Sequence, residues 1–128
     1  MLCYNVFVNQ LEVIPINIKL FKNNEIILDK NVDFKKEFDK ILFEIDEMKC
    51  LIEIKDNKLL CQRENEDYKF NLSIGDNNKC DIYLKKEDAL FDIEVDDATF
   101  YKEDNKIIIY YMIESLDEAN KVEITLER

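Results

Sequence analysis

From Cys50 to Ile93 the chain alternates apolar and polar residues through a succession of strand-length runs, separated by short breaks rich in Asn and Asp. A period of two marks a half-buried strand, and it lets pairing be read residue by residue. With Asp56-Asn57 as a two-residue turn, Ile54 faces Leu59, Ile52 faces Cys61 and Cys50 faces Arg63. A four-residue turn from Glu64 to Asp67 sets Arg63 opposite Tyr68, Cys61 opposite Phe70 and Leu59 opposite Leu72. A three-residue turn at Gly75-Asp76-Asn77, with the glycine supplying a positive φ, puts Leu72 against Cys80 and Phe70 against Ile82. A turn from Lys85 to Asp88 brings Leu84 to Ala89, Ile82 to Phe91 and Cys80 to Ile93. The apolar side chains keep to one face throughout, and a slip of one residue would send them all to the other. Glu53, Lys58, Gln62, Lys69, Asn71, Asp81 and Asp92 occupy the wet face.

The flanks extend the pattern. Ile14, Ile16, Ile18 and Leu20 alternate, EIIL follows, and near the end Val122, Ile124 and Leu126 point one way. KIIIYYMIE, Lys106 to Glu114, is unbroken, which predicts a strand covered on both faces. One segment carries two periods. Phe34, Phe38, Ile41, Leu42 and Ile45 recur at helical spacing around the helix-forming KKEFDK, while Ile41, Phe43 and Ile45 also alternate; composition tilts this segment toward helix. With one glycine, Gly75, and one proline, Pro15, the turns fall to Asn and Asp, which tolerate a left-handed backbone. Strands with one wet and one dry face must stack as two sheets or close on themselves, and closure removes the edges. The expectation is an all-β fold: an antiparallel up-and-down β-barrel of about 8–10 strands, one domain over residues 1–128.

Composition bears on function mainly by exclusion. The chain is 47% hydrophobic and 37% charged, a globular balance, with a formal net charge of −11. No basic stripe exists to release counterions from phosphates, so nucleic acid is excluded as a partner, and anionic membrane surfaces with it. MLCYNVFVNQ lacks the basic region and long apolar core of a secretory signal, and no run approaches a membrane span, so a cytoplasmic protein is expected. The four cysteines, Cys3, Cys50, Cys61 and Cys80, are then expected to be reduced. Without a CxxC spacing or any histidine, no metal or other cofactor is expected. The missing histidine also removes Ser-His and Cys-His catalysis, so an enzyme would have to work without the usual general base. Acid-rich EVDDATFYKED, around Asp96-Asp97, lacks the spacing of a calcium loop and reads as a solvated connection.

Arg63 is the sharpest feature. It is one of only two arginines, with Arg128, and it stands where the alternation calls for an apolar residue. A guanidinium projecting into a barrel would grip a carboxylate or phosphate bidentately, and cannot deprotonate to escape burial. Cys50 and Tyr68 would form the adjoining wall, and Tyr111 would supply a hydroxyl, so the candidate ligand-binding residues are Arg63, Tyr68, Cys50 and Tyr111. The plainer reading has Arg63 end its strand, snorkel to water over Tyr68 and pair with Glu64 or Glu66.

Several segments together resemble the uncharacterised YwiB-like family of small bacterial proteins, whose fold is a calycin-type (lipocalin-like) barrel. KILFEIDE, with Glu47, resembles that family's strand ending in acidic residues. LIEIKDNKLLCQREN resembles its hairpin ending in Arg-x-Gly, with Arg63 in place and Asn65 where the glycine usually sits. CDIYL with Tyr83, KIIIYYMI with Tyr111 and NKVEITL resemble later strands. The resemblance runs from about Pro15 to the end; it implies a strand over Phe34 to Ile45, and a fold rather than a reaction. Two function classes follow: a non-catalytic binder of a small, partly apolar or anionic ligand in the interior, or an interaction module with a packed barrel. The second would present Leu51, Leu60, Tyr83 and Leu90 on its outer face, and homo-oligomerisation is compatible with either.

Overall fold

A computed structural model describes residues Ile14–Leu126; Cys3, Arg128 and the stretch read for a secretory signal lie outside the described residues. The fold is all-β. Eleven strands form one antiparallel sheet: β1 Ile14–Lys22, β2 Glu25–Glu37, β3 Lys40–Ile45, β4 Met48–Lys55, β5 Lys58–Glu64, β6 Tyr68–Ile74, β7 Lys79–Leu84, β8 Ala89–Ile93, β9 Asp96–Lys102, β10 Lys106–Ile113 and β11 Glu118–Leu126. The lateral order is β8-β7-β6-β5-β4-β3-β2-β1-β11-β10-β9. Its two margins, β8 and β9, are separated in the chain only by Glu94 and Val95, the first pairing with β7 and the second with β10. A single bent run therefore joins both ends of the curled sheet. β9 also packs against β6, and Asn78 Nδ2 donates to the Ala98 carbonyl (3.4 Å). Closure is thus made by a bend rather than by a ladder between β8 and β9, and the strands number eleven instead of the expected 8–10.

The short turns work as their residues require. Asn23-Asn24, Asp46-Glu47 and Asp56-Asn57 all have positive φ at both positions (51° and 69°, 47° and 68°, 53° and 61°), the left-handed pair whose twist matches the flanking strands. Gly75 does not have a positive φ. Its need is space: a Cβ there would meet Lys58 Cγ at 2.8 Å, where the lysine stem crosses to pair with Asp76 (3.2 Å).

Three of the four hairpin registers read from the sequence are present: Cys50↔Arg63, Leu72↔Cys80 and Cys80↔Ile93. The β5–β6 pairing differs by two residues, so that Arg63 faces Phe70, Cys61 faces Leu72 and Leu59 faces Ile74. Asn65 is the cause. Its side-chain Oδ1 accepts from the backbone N–H groups of Asp67 (2.8 Å) and Tyr68 (3.0 Å), an Asx turn that redirects the connection. A shift of two keeps every side chain on its face, so the apolar alternation cannot detect it.

Phe34 to Ile45 is a hairpin, the end of β2 and all of β3 about a turn at Phe38-Asp39, and the helical tilt of its composition is overruled by pairing; Ile41 and Ile45 face the core and Phe38, in the turn, is 91% exposed. β10 is covered on one face only. Ile107, Ile109, Tyr111 and Ile113 are buried, while Tyr110 is exposed and makes an edge-on contact with Tyr101. Ile16, Ile18, Ile52, Leu59, Leu72, Ile109 and Ile124 form the innermost layer. No helix among the described residues is long and apolar enough to cross a membrane.

Candidate functional site

The interior is not filled evenly. A cavity of about 170 Å³ lies between the innermost layer and the end of the barrel where β5 finishes. Its walls are apolar, from Ile18, Leu20, Leu28, Phe43, Ile45, Met48, Ile52, Phe70, Ile109 and Val122, with Cys50 and Cys61 among them. Among the described residues, polar groups come only from Asp46, Arg63 and Tyr111.

Local pairing brings these groups together. The tight Asp56-Asn57 turn sets Cys50 opposite Arg63, and the Asx turn at Asn65 sets Arg63 opposite Phe70. The guanidinium lies over the Phe70 ring, 4.4 Å from its centroid, a cation–π contact. Nη2 donates to Tyr111 Oη at 3.2 Å, a bond across the interior because β5 and β10 are not neighbours in the sheet. Phe70 and Tyr111 pack at 6.1 Å between ring centroids. Part of the Arg63 residue still reaches solvent, but Nε is sealed and has no hydrogen-bond partner among the described residues. The ion pair expected of a snorkelling Arg63 is not made: Glu64 is taken by Lys85 Nζ (2.8 Å), and Arg63 has no carboxylate partner among the described residues. Burial alone would lower the Arg63 pKa; the electrostatic influence of Tyr111 and Cys61 outweighs it, and the net direction is upward. The guanidinium is a fixed positive charge.

Burial pushes the Cys50 thiol up to about 12 and raises Cys61 as well, with Arg63 pulling each the other way. Cys80, on the same inner face, is raised by burial to about 11. Such thiols are neutral and poor nucleophiles at neutral pH. Burial likewise raises Tyr111, against the lowering pull of Arg63, so its hydroxyl keeps its proton. The site holds one cation, one hydroxyl, neutral thiols and the Asp46 carboxylate, which Lys30 pairs. That chemistry suits holding an anion.

Of the residues singled out from the sequence, Arg63, Cys50 and Tyr111 line the cavity together. Tyr68 does not; it pairs with Leu84 and packs beside the core. Tyr83 points outward and bonds Asp88. Leu90 is exposed, whereas Leu51, Leu60 and Tyr83 are half-buried. Around Asp96-Asp97, as elsewhere among the described residues, no cluster of three or more potential metal ligands occurs. Phe70 is the wall residue the sequence misassigned, having been paired with Cys61 rather than with Arg63.

Among the described residues, one side of the cavity has a gap. There β2 pairs with β3 only from Phe34↔Phe43 to Glu37↔Lys40, while its earlier half, Glu25–Asp33, pairs with β1 alone. Leu28 stands on one side of this split and Phe43, Ile45 and Met48 on the other, all lining the cavity. Lys30 Nζ crosses it to both carboxylate oxygens of Asp46, at 2.7 and 2.6 Å.

The crystal structure of the ywiB protein from Bacillus subtilis is similar to this fold, with a TM-score of 0.58 over 94% of this chain and 96% of that one, at 15% sequence identity. At that identity the likeness concerns fold alone: the chain has a YwiB-like fold. No family profile matches the sequence, and no curated protein matches it.

Proposed function

We propose that the protein is a non-catalytic, cytoplasmic binding barrel of calycin type, which holds a small, partly apolar, anionic ligand in its interior with Arg63 as anchor. One observation carries this reading. A guanidinium in an apolar cavity keeps a buried Nε without a partner and a charge without a carboxylate among the described residues. A buried unmet donor costs about 1–3 kcal/mol, more when charged. If Arg63 only closed the end of the barrel, methionine would pack on Phe70 as well and leave only the neutral Tyr111 hydroxyl to re-pair, in place of an unmet charged donor. A site that must accept an anion keeps the charge at the expense of stability.

Arg63→Met separates the two roles. In ligand-free protein the variant is expected to be more stable than wild type by about 1–3 kcal/mol in urea denaturation, as for other buried ions replaced by apolar side chains. Native mass spectrometry should show a co-purified small molecule that the variant loses. A variant destabilised by a similar amount, with no bound mass in either protein, would make Arg63 a structural residue.

A further inference from the structure

The cavity narrows its ligand to a chemical class, a step that rests on the binding reading above. We infer that the ligand is a small monocarboxylate, with its carboxylate on Arg63 and Tyr111 and an apolar body about as bulky as a benzene ring or a short branched chain.

Size comes first. The cavity measures about 170 Å³, and an apolar protein cavity of roughly 150 Å³ accommodates benzene. That volume excludes nucleotides and long extended chains from full enclosure. Charge comes second. Asp46 is already matched by Lys30, the two wall thiols are neutral, and among the described residues Arg63 is left as the cavity's single unmatched charge. One monoanion makes the enclosure neutral. A phosphate monoester carries about −1.5 to −2 at pH 7 and would leave excess negative charge among apolar walls. A neutral amide would leave the guanidinium charge unmatched. Geometry comes third. Nε–H is sealed from the cavity, so a carboxylate meets the guanidinium at its Nη1–Nη2 edge, which gives two parallel N–H bonds. Tyr111 Oη accepts from Nη2 and still has its own proton to donate, so the hydroxyl completes the cradle. Phosphate needs more donors than this, and no lysine among the described residues lines the cavity.

The test compares probes that share one ring and differ in head group: benzoate, benzamide, phenyl phosphate and benzene itself. Each is titrated into the full chain at pH 7, by calorimetry and by amide NMR shifts at Cys61, Phe70 and Ile109. Benzoate is expected to bind about tenfold or more tighter than benzamide and phenyl phosphate. That preference should vanish in Arg63→Met and shrink by about threefold or more in Tyr111→Phe. Should Arg63→Met fail to fold, Arg63→Lys keeps the charge without the fork, and is expected to weaken benzoate and leave benzamide unchanged. Phenyl phosphate binding as tightly as benzoate overturns the monocarboxylate class and leaves the anion-binding barrel standing. Benzamide binding as tightly as benzoate, unaffected by Arg63→Met, overturns the class and the anchor together. Benzene filling the cavity while benzoate stays out has the same meaning. If none of the four moves an interior resonance at millimolar concentration, both this inference and the binding reading fall.

Discussion

The barrel interior has two openings of similar size and opposite character. At the Arg63 end, about 170 Å³ of apolar space surrounds one inward-facing cation. At the far end a smaller cavity, about 110 Å³, is lined by Phe34, Ile41, Ile54 and Ile107, and its rim carries Lys36, Lys102 and Lys106 beside Asp39, Glu103 and Asp104. The second site has more charges, yet Lys36 and Lys102 are exposed and Lys106 reaches Glu123 at 3.4 Å. Those rim charges are hydrated and cost the fold almost nothing. Arg63 Nε is sealed from the surface, and its guanidinium has no carboxylate partner among the described residues. What makes a charge informative is therefore its relation to solvent, and one buried cation says more about function than three on a rim.

Ile52 is the wall common to both cavities, and it is 2% exposed. Removing it should break the separation. Ile52→Ala is expected to cost about 2–5 kcal/mol in urea denaturation, because it deletes a core side chain where the neighbours are already loosely filled. In the same variant benzene should gain access to a larger, merged space.

A smaller effect sharpens the contrast between the ends. Cys50 and Cys61 belong to the Arg63 end, and no thiol among the described residues lines the other. Their folded pKa values lie above the ordinary value of 9.0. Below pH 9 both states hold the proton and the contribution is intact; as pH rises past it, the unfolded chain ionises while the folded one does not. Stability is then expected to fall by about 1.4 kcal/mol per pH unit for each thiol, between pH 9 and the folded pKa. Thermal denaturation from pH 8 to 11 should show the decline, and Cys50→Ala should flatten it more than Lys36→Met.

The least effect on stability concerns the gap beside β2. Lys30→Met breaks an exposed ion pair, worth less than about 1 kcal/mol. If the gap is the route into the Arg63 cavity, benzoate exchange measured by NMR line shape should quicken severalfold with little change in affinity. The same substitution at Lys102, on the other rim, should leave exchange alone.

Much of this arrangement was legible in the sequence. Alternation places Arg63, Cys50 and Phe70 on one face, and the Asp56-Asn57 turn fixes Cys50 against Arg63. Pairing across β5–β6 was not legible, because a displacement of two residues leaves the apolar pattern intact and the Asn65 side chain decides it. The split between β2 and β3 was hidden for a different reason: alternation reports which face a residue occupies, never whether its neighbour strand is there. Cross-barrel contacts share that limit. Tyr111 could be named as a candidate hydroxyl, but nothing in the local pattern brings it from β10 to Arg63 on β5. Gly75 misled in its own way, because the residue that tolerates positive φ also admits a crossing side chain.

The bent run at Glu94 and Val95 also bears on how the chain reaches this state. Taken from β9 onward, the lateral order reads β9-β10-β11-β1-β2 and on to β8, the chain's own order rotated about one junction. Every ladder but one joins strands consecutive in the chain, and hairpins of that kind zip in microseconds. The exception is β1 with β11, where Ile16 meets Leu126 and Lys22 meets Asn120 from nearly opposite ends of the described residues. That ladder carries most of the loop-closure entropy, so the search time of folding is concentrated in a single encounter. Ile18 and Ile124, each 1% exposed, sit in the middle of it and tie the speed of assembly to the packing of the core.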